Sequence, residues 1–152
     1  MSEHEDHREF AVAANNRVWE LLGDEARDEA GTREMVNAAH ASLWHWQYAG
    51  TALHEQRGEW LASHVYAVLG RGDTALLHAQ RCWALTEEGA LEGFDRAYAC
   101  EAMARAQAAR GEVSDAAEWR DRATTEASKV VDAEDRAILD ADLATGPWYD
   151  LA

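Results

Sequence analysis

The sequence predicts an all-α protein, an array of about seven short helices packed as antiparallel pairs. Three observations carry this. The single proline, Pro147, stands almost at the end, so no ring interrupts a helix before it. Ala, Leu, Glu and Arg are abundant, all good helix formers, and no run of β-branched residues alternates as a half-buried strand does. Glycines and capping residues recur at helical intervals, leaving only short connections, which favour antiparallel neighbours. The 152 residues, 47% of them hydrophobic, suffice for one domain with its own core. The expected organisation is a flexible acidic tail over 1–7, a single helical domain over 8–145, and a C-terminal tail over 146–152.

The elements follow in order. Helix one is expected from about Arg8 to Leu22, with Phe10, Ala14, Val18, Leu21 and Leu22 on one face. Thr32 reads as the N-cap of helix two, which runs to about Ala49. Helix three follows Thr51 and stops at Gly70-Arg71-Gly72. Asp73 reads as the cap of helix four, which ends before Gly89. Helix five covers about Leu91 to Arg110 and stops at Gly111. Ser114 reads as the cap of helix six, ending near Val131. Asp132 opens helix seven, which ends before Gly146-Pro147.

The formal net charge of −15 speaks against a nucleic-acid partner, whose phosphates need a basic surface, and against docking on anionic membranes. Cys82 and Cys100, the only cysteines, lie inside expected helices and read as buried reduced thiols. The opening MSEHEDHREF has no basic region followed by an apolar run, and no apolar segment is long enough to span a bilayer. A cytoplasmic location is the resulting expectation.

Two segments of the chain line up as helix pairs, Trp60–Leu85 and Ala99–Thr124. Each has a helix, a glycine turn (GRGD at 70–73, ARGE at 109–112) and a second helix, with Gly72 matched to Gly111. The stretch AMARAQAARGEVSDAAEWRDRA at 102–123 resembles the tetratricopeptide repeat family. Ala104 and Ala106 fall where that family has small residues, Gly111-Glu112 at its turn, Ala116 at its buried alanine and Ala123 near the end of its second helix. The earlier segment is looser, with Leu77 in the buried-alanine position, and the interval exceeds the usual repeat of about 34 residues. The resemblance implies a right-handed solenoid and a protein-interaction scaffold that binds a peptide in a groove lined by the first helices. The implied groove positions are His64, Val68, Met103 and Gln107. The Lys and Asn with which one subgroup clamps acidic peptide C-termini are missing, so a neutral or basic partner fits better.

Several residues invite chemistry. In AHASLWHW, at 39–46, His40 and His45 lie roughly 140° apart on a helix, too far round to share a metal ion. Large apolar residues on both sides of this helix make it read as an inner helix. Arg57 and His64 fall within the apolar arc of helix three, and a buried guanidinium needs a carboxylate. Helix five offers Asp95, Tyr98 and Glu101, and helix four His78. These six residues are the expected polar cluster between helices three, four and five. It reads as a pocket with an arginine anchor, for a small ligand or an enzymatic reaction, or as an internal ion pair with core histidines.

The segment HEQRGEW at 54–60 starts like a zinc-protease motif but lacks the second histidine. No phosphate loop or nucleophile elbow occurs, so an enzyme is the less expected class and no cofactor is expected. Removal of Met1 would leave Ser2-Glu3-His4, whose amine, amides and His4 imidazole suit Cu(II) or Ni(II), with a plain acidic tail as the alternative. Trp148 and Tyr149 would either fold back over an apolar end of the array or bridge two copies of the chain as a homodimer.

Overall fold

A computed structural model describes residues 2–151. It is all-helical: α1 (Glu3–Leu22), α2 (Glu29–Ala49), α3 (Ala52–Val68), α4 (Gly72–Glu88), α5 (Phe94–Ala109), α6 (Val113–Ser128) and α7 (Ala133–Ala144), then one 3-10 turn at Tyr149–Leu151. Helices pack in adjacent pairs, α1 with α2, α3 with α4 and α5 with α6, and each pair packs on the next. The core is accordingly spread along the array. Val18, Leu21, Met35, Ala39, Leu61 and Val65 close its first part. Ala67, Ala75, Ala79, Ala102, Met103 and Ala106 close the second.

Local chemistry moves several helix starts. The tail expected over 1–7 is mostly helix, because Ser2 and Glu5 form a reciprocal capping box that starts α1 at Glu3. Helix α2 begins at Glu29, since Asp28 accepts the Gly31 N–H at 2.8 Å; Thr32 lies inside the helix and accepts from Arg27 instead. Asp73 is not a cap but sits in the first turn of α4, paired with Arg110 at 2.8 Å. Helix α6 likewise starts one residue before Ser114. Helix α5 starts at Phe94, because Ala90 and Gly93 both take positive φ and end regular structure around Leu91. Met1 and Ala152, the outermost residues of the two expected tails, lie outside the described residues.

The glycine register also differs. Gly70 and Gly111, with φ of 76° and 81°, are the equivalent positions. At each, the next N–H reaches back to close the helix, Arg71 to the Tyr66 carbonyl and Glu112 to that of Gln107, both at 2.9 Å. Gly72 serves a different purpose. A Cβ there would lie 2.6 Å from the Arg110 nitrogen and 2.7 Å from the Ala109 carbonyl carbon, so glycine permits the close approach of α4 to the end of α5.

A third turn of this type follows α4, where Leu91 N–H reaches the Thr86 carbonyl at 3.0 Å. Its left-handed position is held by Ala90, with φ of 49°. A side chain in this region costs about 1 kcal/mol or more relative to glycine. Ala90→Gly is therefore expected to stabilise the protein by about 1 kcal/mol, read as a higher urea midpoint with an unchanged slope.

The most enclosed helix is α5, whose residues from Ala99 to Ala108 are all buried. That corrects the expectation for α2. Trp46 of α2 is buried, but Trp44 and Tyr48 on its other side are half exposed. They lie against His7, while Phe10 packs on His45. The reason is side-chain size. Seven alanines of α5 let neighbouring helices close on every side, whereas the large residues of α2 cover only one packed face.

Candidate functional site

The odd-numbered helices α1, α3, α5 and α7 together enclose a half-open cleft of about 320 Å³. Asn15 and Trp19 come from α1. Gln56, Arg57, Trp60 and Leu61 come from α3, at the three- and four-residue steps that put side chains on one helix face. Phe94, Asp95 and Tyr98 repeat this pattern on α5, and Ile138 and Asp142 repeat it on α7. Four of the eleven lining residues are aromatic. Trp19 stacks on Trp60 at 5.9 Å, and Tyr98 meets both Trp60 and Phe94 edge to face.

Three of the six expected cluster residues line this cleft: Arg57, Asp95 and Tyr98. Arg57 is not buried. Its side chain is 57% exposed and its Nε–H donates to Asp95 at 3.0 Å, a rim ion pair worth at most about 1 kcal/mol. Asp95 is positioned from behind, since the Gln56 amide donates to its backbone carbonyl at 3.0 Å and to Thr86 at 3.1 Å.

The buried cation is Arg105, with 2% of its side chain exposed. Its Nε–H donates to Glu101, one helical turn back, and Glu101 also accepts the Trp60 Nε1–H at 2.6 Å. The remaining Arg105 N–H groups donate to the carbonyls of Asp142 at 2.8 Å and Thr145 at 2.9 Å. Glu101 thus belongs to the floor behind the cleft, where it fixes the Trp60 ring. A buried arginine four residues after a buried glutamate is readable in sequence as a helical ion pair. Nothing in the sequence reveals that the carbonyls of Thr145 and Asp142 complete it.

His64 lies beneath Trp60, stacked at 4.9 Å, seven residues from Arg57 and about 10.5 Å along the helix. Its Nδ1 is buried without a hydrogen-bond partner among the described residues. Burial holds this imidazole below its ordinary range, with Glu101 opposing the shift. A depressed imidazole means the unfolded chain takes up the proton first. Stability is then full above about pH 6.5 and falls as pH drops through it, with a slope of up to about 1.4 kcal/mol per pH unit from this group. Urea unfolding between pH 7.5 and 5 is expected to show this fall, and His64→Gln to make it shallower, leaving the part due to His40, His45 and His54, whose pKa burial also lowers.

His78 is not part of this site. It sits on another face of the α3/α4 pair, 2.7 Å from Glu59, stacked on Tyr66 and edge to face with His40, which bonds the Tyr66 hydroxyl at 2.7 Å. His78 turns toward α2, where it meets His40, while Cys82, four residues on, is buried. Both thiols are buried and unpaired, and burial raises their pKa, that of Cys100 to about 11.

The expected groove residues are not an open rim. Met103 and Gln107 are buried, and Gln107 accepts a hydrogen bond from Arg110 at 2.8 Å. Beside Val68, the Tyr149 hydroxyl donates to the Ala67 carbonyl and lies 3.5 Å from that of Val68. The fold-back of Trp148 and Tyr149 is what the structure contains. Trp148 is 6% exposed, packed on Ala104, Ala108 and Ala116 and held between the guanidinium groups of Arg105 and Arg120 at 4.1 and 4.5 Å. The returning segment at Trp148 and Tyr149 therefore covers the Val68 end of α3 and leaves the aromatic cleft open.

His4 is an exposed residue in the first turn of α1, and the Ser2 N–H already donates to Glu5 at 2.8 Å, so a square-planar site there would have to dismantle the capping box. Among the described residues no three potential ligand side chains converge on a metal position, and no helix is long and apolar enough to cross a membrane. Fold and cleft together define an all-α array of helix pairs with one aromatic cleft on the side formed by its odd-numbered helices. Compared with known proteins, the chain matches no family model, no curated protein and no solved structure.

Proposed function

We propose that this protein is a cytoplasmic interaction module, tetratricopeptide-like in design, that holds a partner segment by one anchoring side chain. The observation that carries this is the aromatic cleft to which α1, α3, α5 and α7 all contribute. Its volume lies at the small end of ligand pockets, roughly 300–1,000 Å³, and suits one compact group. An extended peptide laid along α3 would meet Tyr149 at the Val68 end. Binding is favoured over catalysis because each cleft carboxylate is already engaged, Asp95 by Arg57 and Asp142 by Tyr98. The net charge of −15 favours a neutral or basic partner.

Selection of random twelve-residue peptides displayed on phage tests the reading. Enriched peptides are expected to share one anchor residue and to lose at least tenfold in affinity for Trp19→Ala, a change at a half-exposed ring that leaves the core intact. Peptides that bind the variant as well as the parent would sink it.

A further inference from the structure

We propose that the cleft selects an organic cation, an alkylated ammonium group carried by a small molecule or by a methylated lysine side chain. The proposal rests on the anchoring role of the cleft and adds the chemistry of the anchor. Two features point to it. First, the walls present the rings of Trp19, Trp60, Phe94 and Tyr98, whose faces attract a cation within about 6 Å of the centroid. Alkylated ammonium groups suit such walls because they shed water more readily than a bare ammonium and bury methyl groups against the rings. Second, the charges do not cancel. Arg57 is neutralised by Asp95 at the rim, while the Asp142 carboxylate carries only the Tyr98 hydrogen bond and is paired with no cation side chain among the described residues. The cleft therefore holds one carboxylate in excess beside its aromatic walls, within a chain of strongly negative net charge.

This arrangement separates a cation site from a merely apolar one. A neutral group of the same shape gains the burial but neither the ring quadrupoles nor Asp142. Arg57 works against a bound cation, so its removal should help, because it frees Asp95 and takes away the only positive charge among the described residues that line the cleft.

Choline, its uncharged isostere 3,3-dimethylbutan-1-ol, and a short peptide carrying trimethyllysine are titrated into the full chain, followed by tryptophan fluorescence and amide chemical shifts. Choline or the peptide is expected to bind at least tenfold more tightly than the neutral alcohol. Asp142→Asn and Trp19→Ala should each remove most of that preference, and Arg57→Gln should strengthen cation binding several-fold. Whichever of choline and the peptide binds more tightly identifies the source of the cation. Thermal unfolding of each variant shows that it is folded. Equal binding of choline and the alcohol overturns cation selection but leaves an apolar anchor cleft standing. No binding of any probe to folded protein also overturns cation selection, and the phage selection then decides the anchor reading separately.

Discussion

Replacing Arg105 by methionine is expected to cost about 3–5 kcal/mol of stability. The guanidinium is almost wholly enclosed and supplies donors to Glu101 and to the carbonyls of Asp142 and Thr145. Without it, Glu101 remains as a buried carboxylate with only the Trp60 N–H to hold it. The double variant Arg105→Met/Glu101→Leu should recover much of the loss, because it removes the stranded charge as well. Urea unfolding of both variants checks this. A single-variant loss below about 1 kcal/mol would mean that Arg105 does not tie α5 to α7 and the C-terminal segment.

Trp148→Ala is expected to cost about 3–5 kcal/mol, the usual range for truncating a buried tryptophan. The ring covers the alanines of α5 and α6, sits between two guanidinium groups and donates its Nε1–H to the Leu143 carbonyl at 3.0 Å. The expected signature is local as well as global. Amide exchange should accelerate over α7 and along residues 104–108, where the ring now excludes water. Tyr149 would also lose its seat beside Val68, uncovering the end of α3 on which it packs. Unchanged exchange along α5 would show that the segment is an ornament and not a closing element.

The positions of five of the seven helices were legible to within about three residues, because glycines, one proline and capping side chains act locally. The errors at α1 and α2 have a common cause. Both true caps, Ser2 and Asp28, stand in acidic surroundings that read equally well as tail or loop. Only the hydrogen bonds to the Glu5 and Gly31 N–H groups distinguish them.

The site was half legible. Arg57, Asp95 and Tyr98 do meet, since residues at three- and four-residue steps on α3 and α5 share a face once the helices are neighbours. His78 lies outside the cleft because one helix face can serve either of two neighbours, and the sequence of α4 does not say which. The sequence reads Arg57 as the buried cation and the structure buries Arg105 instead, although both lie on helices with apolar faces. Arg57 stands at the mouth of a cleft, while Arg105 stands under α7 and the returning C-terminus.

The sequence by itself determined what depends on neighbours along the chain: helical character, most turns, the overall acidity and the residues available to each helix face. The tertiary structure alone decided which faces are covered, and with that the cleft, the burial of Arg105, the isolation of His78 and the closure of the Val68 end by Tyr149. The physical reason lies in α5. Its alanines carry almost no pattern of large apolar residues, yet their small size lets helices approach from every side. Burial there is set by how closely the neighbours pack, a property of the assembled array that no window of sequence contains.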